Sequence, residues 1–137
     1  MGIKRLDHYS IRTTRLDETQ RFYTEVMGFE VGPRPDFPFP GVWLYQDGIA
    51  VVHVVGIDPN DPQGLIAYLG EKGIDGASGT GTIDHVAFLC DDLDGMRRHL
   101  QTCGLDFRER AVPNMALHQI FLEDPNGVTL ELNFPTA

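Results

Sequence analysis

The chain repeats itself, and this limits its possible folds more than any other feature. Residues 6–17 read LDHYSIRTTRLD and residues 83–94 read IDHVAFLCDDLD. Asp7-His8 and Leu16-Asp17 return as Asp84-His85 and Leu93-Asp94, each 77 positions further on. A repeat of this length is one supersecondary unit used twice, so the structure of one half predicts that of the other.

Each copy continues in the same way. After Asp17, the residues Phe22, Tyr23, Val26 and Met27 fall at helical spacing. Asp17 with Gln20 reads as a capping box, and Gly28 as the left-handed stop. After Asp94, the residues Met96, Leu100 and Cys103 mark one helical face and Gly104 ends it. GVWLYQDGIAVVHVV then reads as a hairpin turning at Asp47-Gly48, and LHQIFLEDPNGVTLELNF as a hairpin turning at Asp-Pro-Asn-Gly. FEVGP and DFRER each supply one more short strand. The expected unit is β-α-β-β-β, twice, in a single α+β domain over residues 1–137. Module one covers about 3–56, a connector about 57–81, and module two about 82–135. The connector carries a short helical candidate near Leu65–Leu69. It is long for an idle loop, and reads either as a lid or as an exposed linker.

Composition narrows the function. The formal charge of −9 disfavours nucleic acid and anionic membrane surfaces as partners. No apolar run reaches the roughly 18 residues of a spanning helix, and MGIKRLDHYS lacks the apolar stretch of a signal peptide. Cys90 and Cys103 form no CxxC pair. The expected setting is the cytoplasm.

Strand alternation places His8, Ser10 and Arg12 on one face of the first strand. The repeat puts His85 in the place of His8. The last strand of module one, IAVVHVV, carries His53. The last strand of module two, VTLELNF, carries Glu131, 78 positions later. All four lie in apolar stretches, where an ionised carboxylate costs several kcal/mol unless paired or metal-bound. One such residue means little; four in repeat-related positions point to a metal ion.

These residues resemble the vicinal oxygen chelate superfamily, which includes glyoxalase I, bleomycin-resistance proteins and extradiol dioxygenases. The carriers are LDHYSIRTTRLDETQRFYTEVMGFE, RPDFPFPGVWLY, IDHVAFLCDDLD and HQIFLEDPNGVTLELNF, in that order over nearly the whole chain. The resemblance implies two βαβββ modules forming a curved open barrel around the metal, with His8, His85 and Glu131 as ligands. The fourth position, often Glu or Gln in lyases and epimerases, is His53 here.

The expected cofactor is one divalent transition ion per site (Fe, Ni, Co, Zn or Mn), held by His8, His53, His85 and Glu131. Two open positions would chelate a small substrate through vicinal oxygens and support a lyase or isomerase reaction through an enediolate. Glu131 or His118 would act as the base, and Arg12 would anchor a substrate anion. Phe37, Phe39 and Trp43 would wall a pocket or simply pack the core. Two alternatives stay open: an extradiol-type Fe(II) ring-cleaving dioxygenase, and a non-enzymatic drug- or metabolite-binding protein of the bleomycin-resistance type. A homodimer is expected from the commonness of closed twofold assemblies and the habit of relatives of this length.

Overall fold

The computed structural model describes residues 2, 5–69, 78–81, 83–112 and 116–136. The chain divides into two compact units, Met1–Ala77 and Ser78–Ala137.

The first unit runs β1 (Tyr9–Thr13), α1 (Leu16–Glu25), β2 (Glu30–Gly32), β3 (Gly41–Gln46), β4 (Ile49–Gly56) and α2 (Gln63–Leu69). Its sheet has the order β1-β4-β3-β2, with β1 parallel to β4 and the other pairs antiparallel. One side chain set, Ile11, Thr13, Val42, Leu44, Val52 and Val54, is buried, as are Thr19, Phe22 and Tyr23 on α1. Strand alternation sends that set to one face and leaves Ser10, Trp43 and His53 for the other. Asp47 and Gly48, at φ 50° and 79°, make the two-residue turn that Asp-Gly predicts. Gly28, at φ 76°, ends α1 as expected.

The start of α1 differs from the expected box. The helix begins at Leu16, its N-cap is Arg15 without a side-chain cap, and Asp17 lies inside the first turn. Thr13 does the local work: its hydroxyl accepts from the Arg15 amide at 2.8 Å. Asp17 and Glu18 still suit the positive end of the helix dipole.

The second unit repeats the plan with β5 (Val86–Leu89), α3 (Leu93–Thr102), β6 (Arg108–Val112), β7 (Leu117–Glu123) and β8 (Thr129–Pro135), in the order β5-β8-β7-β6. Here the cap is Asp92, whose side chain accepts from the Gly95 amide at 3.1 Å. Asp124 organises the β7–β8 turn: its Oδ1 accepts from the Asn126 and Val128 amides at 2.8 and 2.9 Å. Leu100, Ile120, Leu130 and Leu132 are fully buried and form the centre of this unit's core.

Two βαβββ sheets are therefore present, but the expected barrel is not. Each is an open four-stranded sheet, neither closed nor curled, with β1 and β2 at the edges of one and β5 and β6 at the edges of the other. Closure needs the edge strands to pair, and the smallest well-filled barrels use about eight strands.

Of the 57–81 connector, residues 70–77 lie outside the described residues. Its described beginning packs on the first unit. Leu65 of α2 is buried with Ile57 against Phe39 and Val55, and Phe37 packs on that cluster. Phe37 and Phe39 thus serve the core. Among the described residues no helix is long and apolar enough to cross a membrane.

Candidate metal centre

The repeated Asp-His dipeptides sit just ahead of β1 and β5, not inside them. In both, the aspartate takes the histidine's Nδ1: Asp7 Oδ2 lies 2.6 Å from His8 Nδ1, and Asp84 Oδ2 lies 2.8 Å from His85 Nδ1. A carboxylate can only accept, so each Nδ1 carries the proton and each Nε2 keeps its lone pair in the neutral ring. Carboxylate–histidine pairs of this kind fix the ring and raise its basicity toward a metal.

In the second unit the free nitrogen meets a carboxylate. His85 Nε2 stands 3.6 Å from Glu131 Oε1. Two donors that share one ion at about 2.1 Å each are separated by roughly 3 to 4 Å, so this pair has the spacing of a half-site. Glu131 is only 9% exposed. Its other oxygen, Oε2, accepts from the Asn133 amide at 3.0 Å. Asn133 Oδ1 accepts from Gln119 at 2.9 Å, and Gln119 Oε1 from Arg110 at 2.7 Å. The bond to Asp84, and then the nearby Glu131 charge, push the His85 pKa up against the effect of desolvation. A proton and a metal ion compete for the same Nε2.

The first unit arranges its pair differently. Ser10 and Trp43 flank His53 across the sheet. The His53 ring is stacked on His8 at 3.6 Å between centroids and on Trp43 at 3.8 Å, the planes within 14° and 10°. Its Nε2 lies 3.1 Å from the Ala50 carbonyl oxygen and donates to it. Desolvation, then the charge of His8, lowers the His53 pKa. Ring lone pairs lie in the ring plane, so two near-parallel stacked imidazoles do not aim both at one ion. His8 keeps its lone pair on Nε2; His53, with its Nε2–H given to Ala50, keeps its lone pair on Nδ1, in the plane of the stacked ring.

Arg12 shares the His53 face of the first sheet, opposite Val55 on β4. His118 is not on the Glu131 face. In β7, Phe121 pairs with Glu131 and Gln119 with Asn133, whereas His118 pairs with Phe134 in the alternate row. Its Nε2 lies 2.8 Å from Glu109, which also takes Arg97 of α3 at 2.7 Å. His118, one of the two expected bases, thus belongs to a His–Glu–Arg cluster on the helix side. Among the described residues no group of three or more His, Cys, Asp or Glu is placed to hold a metal; the units offer pairs. Asn133, Gln119 and Arg110 were not anticipated from the sequence: Asn133 was signalled only by its two-residue spacing from Glu131, and Gln119 and Arg110 join that face through strand register.

The comparisons agree with this plan. "Glyoxylase I 4" of Arabidopsis thaliana is 26% identical over 130 residues, which is 93% of this chain and 68% of that protein. "Lactoylglutathione lyase" of Schizosaccharomyces pombe is 24% identical over 145 residues, 96% of this chain; this chain spans about half of that enzyme's length, 48%. The glyoxylase/bleomycin resistance protein/dioxygenase domain from Frankia sp. EAN1pec superposes with a TM-score of 0.72 at 17% identity, covering 98% of this chain and 93% of that one. A model of the glyoxalase family matches residues 5–132, and on that match the chain belongs to the Glyoxalase/Bleomycin resistance protein/Dioxygenase superfamily.

Proposed function

We propose that this protein is a metal-dependent lyase or isomerase acting on a small molecule with vicinal oxygens. The superfamily includes such enzymes as well as non-enzymatic binding proteins. The observation that carries the reading is the His85–Glu131 pair, 3.6 Å apart on the second sheet, with Asp84 behind the histidine and Asn133 behind the carboxylate. The name of one curated relative, a lactoylglutathione lyase, supports the lyase class.

His85 and Glu131 would hold a divalent transition ion, and His8 is the residue of module one that the repeat matches to His85. His53 packs against the His8 ring and keeps it upright. When bound, the ion supplies a Lewis acid that stabilises negative charge developing on a substrate oxygen. Glu131 would accept the substrate proton on Oε1 by leaving the ion transiently, while the Asn133 side-chain amide keeps Oε2 occupied. His118 takes no part. Arg12 remains a candidate anchor beside module one, and the assembly is proposed as a twofold dimer.

One observation favours the dioxygenase as second reading. With the His53 ring stacked on His8 and on Trp43, its remaining lone pair on Nδ1 lies in a plane nearly parallel to the His8 ring, and His8, His85 and Glu131 are left as the two-histidine, one-carboxylate set used by ring-cleaving Fe(II) enzymes. Anaerobic loading with Fe(II), then oxygen uptake on a catechol panel, separates the two. No catechol-dependent uptake, with turnover of an α-oxygenated substrate by Ni, Co, Zn or Mn protein, supports the lyase or isomerase. Steady uptake overturns it.

A further inference from the structure

The Glu131 face of the second sheet carries more than the half-site. Strand register sets Arg108, Phe121 and Glu131 in one row across β6, β7 and β8, and Arg110, Gln119 and Asn133 in the next. Both guanidinium groups lie over the same ring: the Arg108 Cζ is 4.5 Å and the Arg110 Cζ 5.6 Å from the Phe121 centroid. The Arg110 Nε is fixed by Gln119 at 2.7 Å. Among the described residues neither arginine has a carboxylate partner, unlike Arg97, which holds Asp94 and Glu109. That is notable in a chain with 20 acidic residues against 11 basic ones. Two cations beside one ring repel each other, and an anion between them removes the repulsion. A cavity of about 480 Å³ opens on the Arg108 side of this ring, lined among others by Phe107, Arg108, Phe121, Glu123 and Thr129.

We infer that Arg108 and Arg110 form an anion seat for the acid group of the substrate. The ligand class is a carboxylate, phosphonate or phosphate ester with an apolar middle. Phe107 and the edge of Phe121 receive that middle. Asp106 and Glu123 also line the cavity; they repel an anion that leaves the arginines, which gives the seat a direction. β6 and β8 are two strand spacings apart, about 10 Å. The acid group therefore sits well away from the oxygens that meet Glu131, and a minimal two-carbon oxyacid is too short to use both ends. The seat's role as a substrate end rests on the metal reading above; the seat itself does not.

Calorimetric titration of the whole protein, after chelator treatment, tests it with three probes: 3-phenylpropionate, phenylphosphonate and the neutral 3-phenylpropionamide. At least one anion should bind roughly tenfold or more tighter than the amide, as charge-assisted hydrogen bonds of this kind imply. Preference between the two anions identifies a carboxylic or a phosphoryl acid. Arg108→Gln with Arg110→Gln should abolish the difference. Each single replacement should remove part of it, and Arg108→Lys with Arg110→Lys should restore part, because lysine keeps the charge without the fork. Equal binding of anions and amide by the wild type overturns the seat, and so does undiminished anion preference in the folded double Gln variant. A metal titration in the same buffer keeps the ideas apart. Anion binding without metal binding removes the metal reading alone; metal binding without anion preference removes the seat alone.

Discussion

The two modules present a pair of donors at the same topological place and end up with opposite arrangements. In both, an Asp-His dipeptide leads into an edge strand, and the strand beside it carries the second residue. In both, that residue has an aromatic cross-strand partner: Trp43 opposite His53, Phe121 opposite Glu131. An imidazole can stack on its partner, and His53 does so, drawing His8 into the same pile. A carboxylate cannot stack. Glu131 instead turns one oxygen to His85 and the other to Asn133, and Phe121 is left for the arginines. One side-chain type at one strand position thus decides whether a module presents an open donor pair or a closed aromatic pile.

Breaking the open pair should have the largest effect. His85→Ala or Glu131→Ala should weaken metal binding by more than about 100-fold in a calorimetric titration, since a few ligands share roughly 10 kcal/mol or more of binding free energy. A loss under threefold in both variants would contradict the assignment. The supports come next. Asp84→Asn and Asp7→Asn should each cost about 10–100-fold in metal affinity by loosening the ring they hold. Unchanged affinity in both would reduce these aspartates to surface residues. His53→Phe is the sharpest test of the contrast. It keeps the stack between His8 and Trp43 but removes both nitrogens, so metal affinity should stay within about threefold; a loss like that of His85→Ala would make His53 a ligand after all.

The smallest effect is a pH one, read in metal-free protein by NMR. The His85 ring should titrate above the usual 6.5 and the His53 ring below it. A raised histidine pKa adds stability below the unfolded value, which fades as pH rises through the folded one. A lowered pKa adds stability above the unfolded value, which fades as pH falls through the folded one. The two modules therefore lean in opposite directions around pH 6.5, and identical titration of the rings would erase the difference between them.

Much of this could be read in the chain. The repeat gave β-α-β-β-β twice, and Gly28, Gly104 and Asp47-Gly48 marked their turns because each needs a positive φ that few residues tolerate. What could not be read depends on register, a property of two strands together. In LHQIFLE the buried run Gln119–Leu122 hides the alternation, so nothing in β7 alone sets His118 apart from the Glu131 face. The stack on Trp43 likewise follows from its pairing with His53 across the β3–β4 hairpin, not from spacing along the chain. The barrel failed for a different reason: strand number per module was legible, but whether the edges meet is not a local property. Asp17 lost its capping role because the helix already begins at Leu16, which puts Asp17 inside the first turn.

The most direct measurement is the metal content of protein purified without chelator, compared with His85→Ala and with a sample reconstituted with Fe, Ni, Co, Mn or Zn. About one divalent transition ion per chain is expected in the wild type, with near-complete loss in His85→Ala. Equal and near-zero metal in both proteins, even after reconstitution, would contradict a metal centre built on His85 and Glu131.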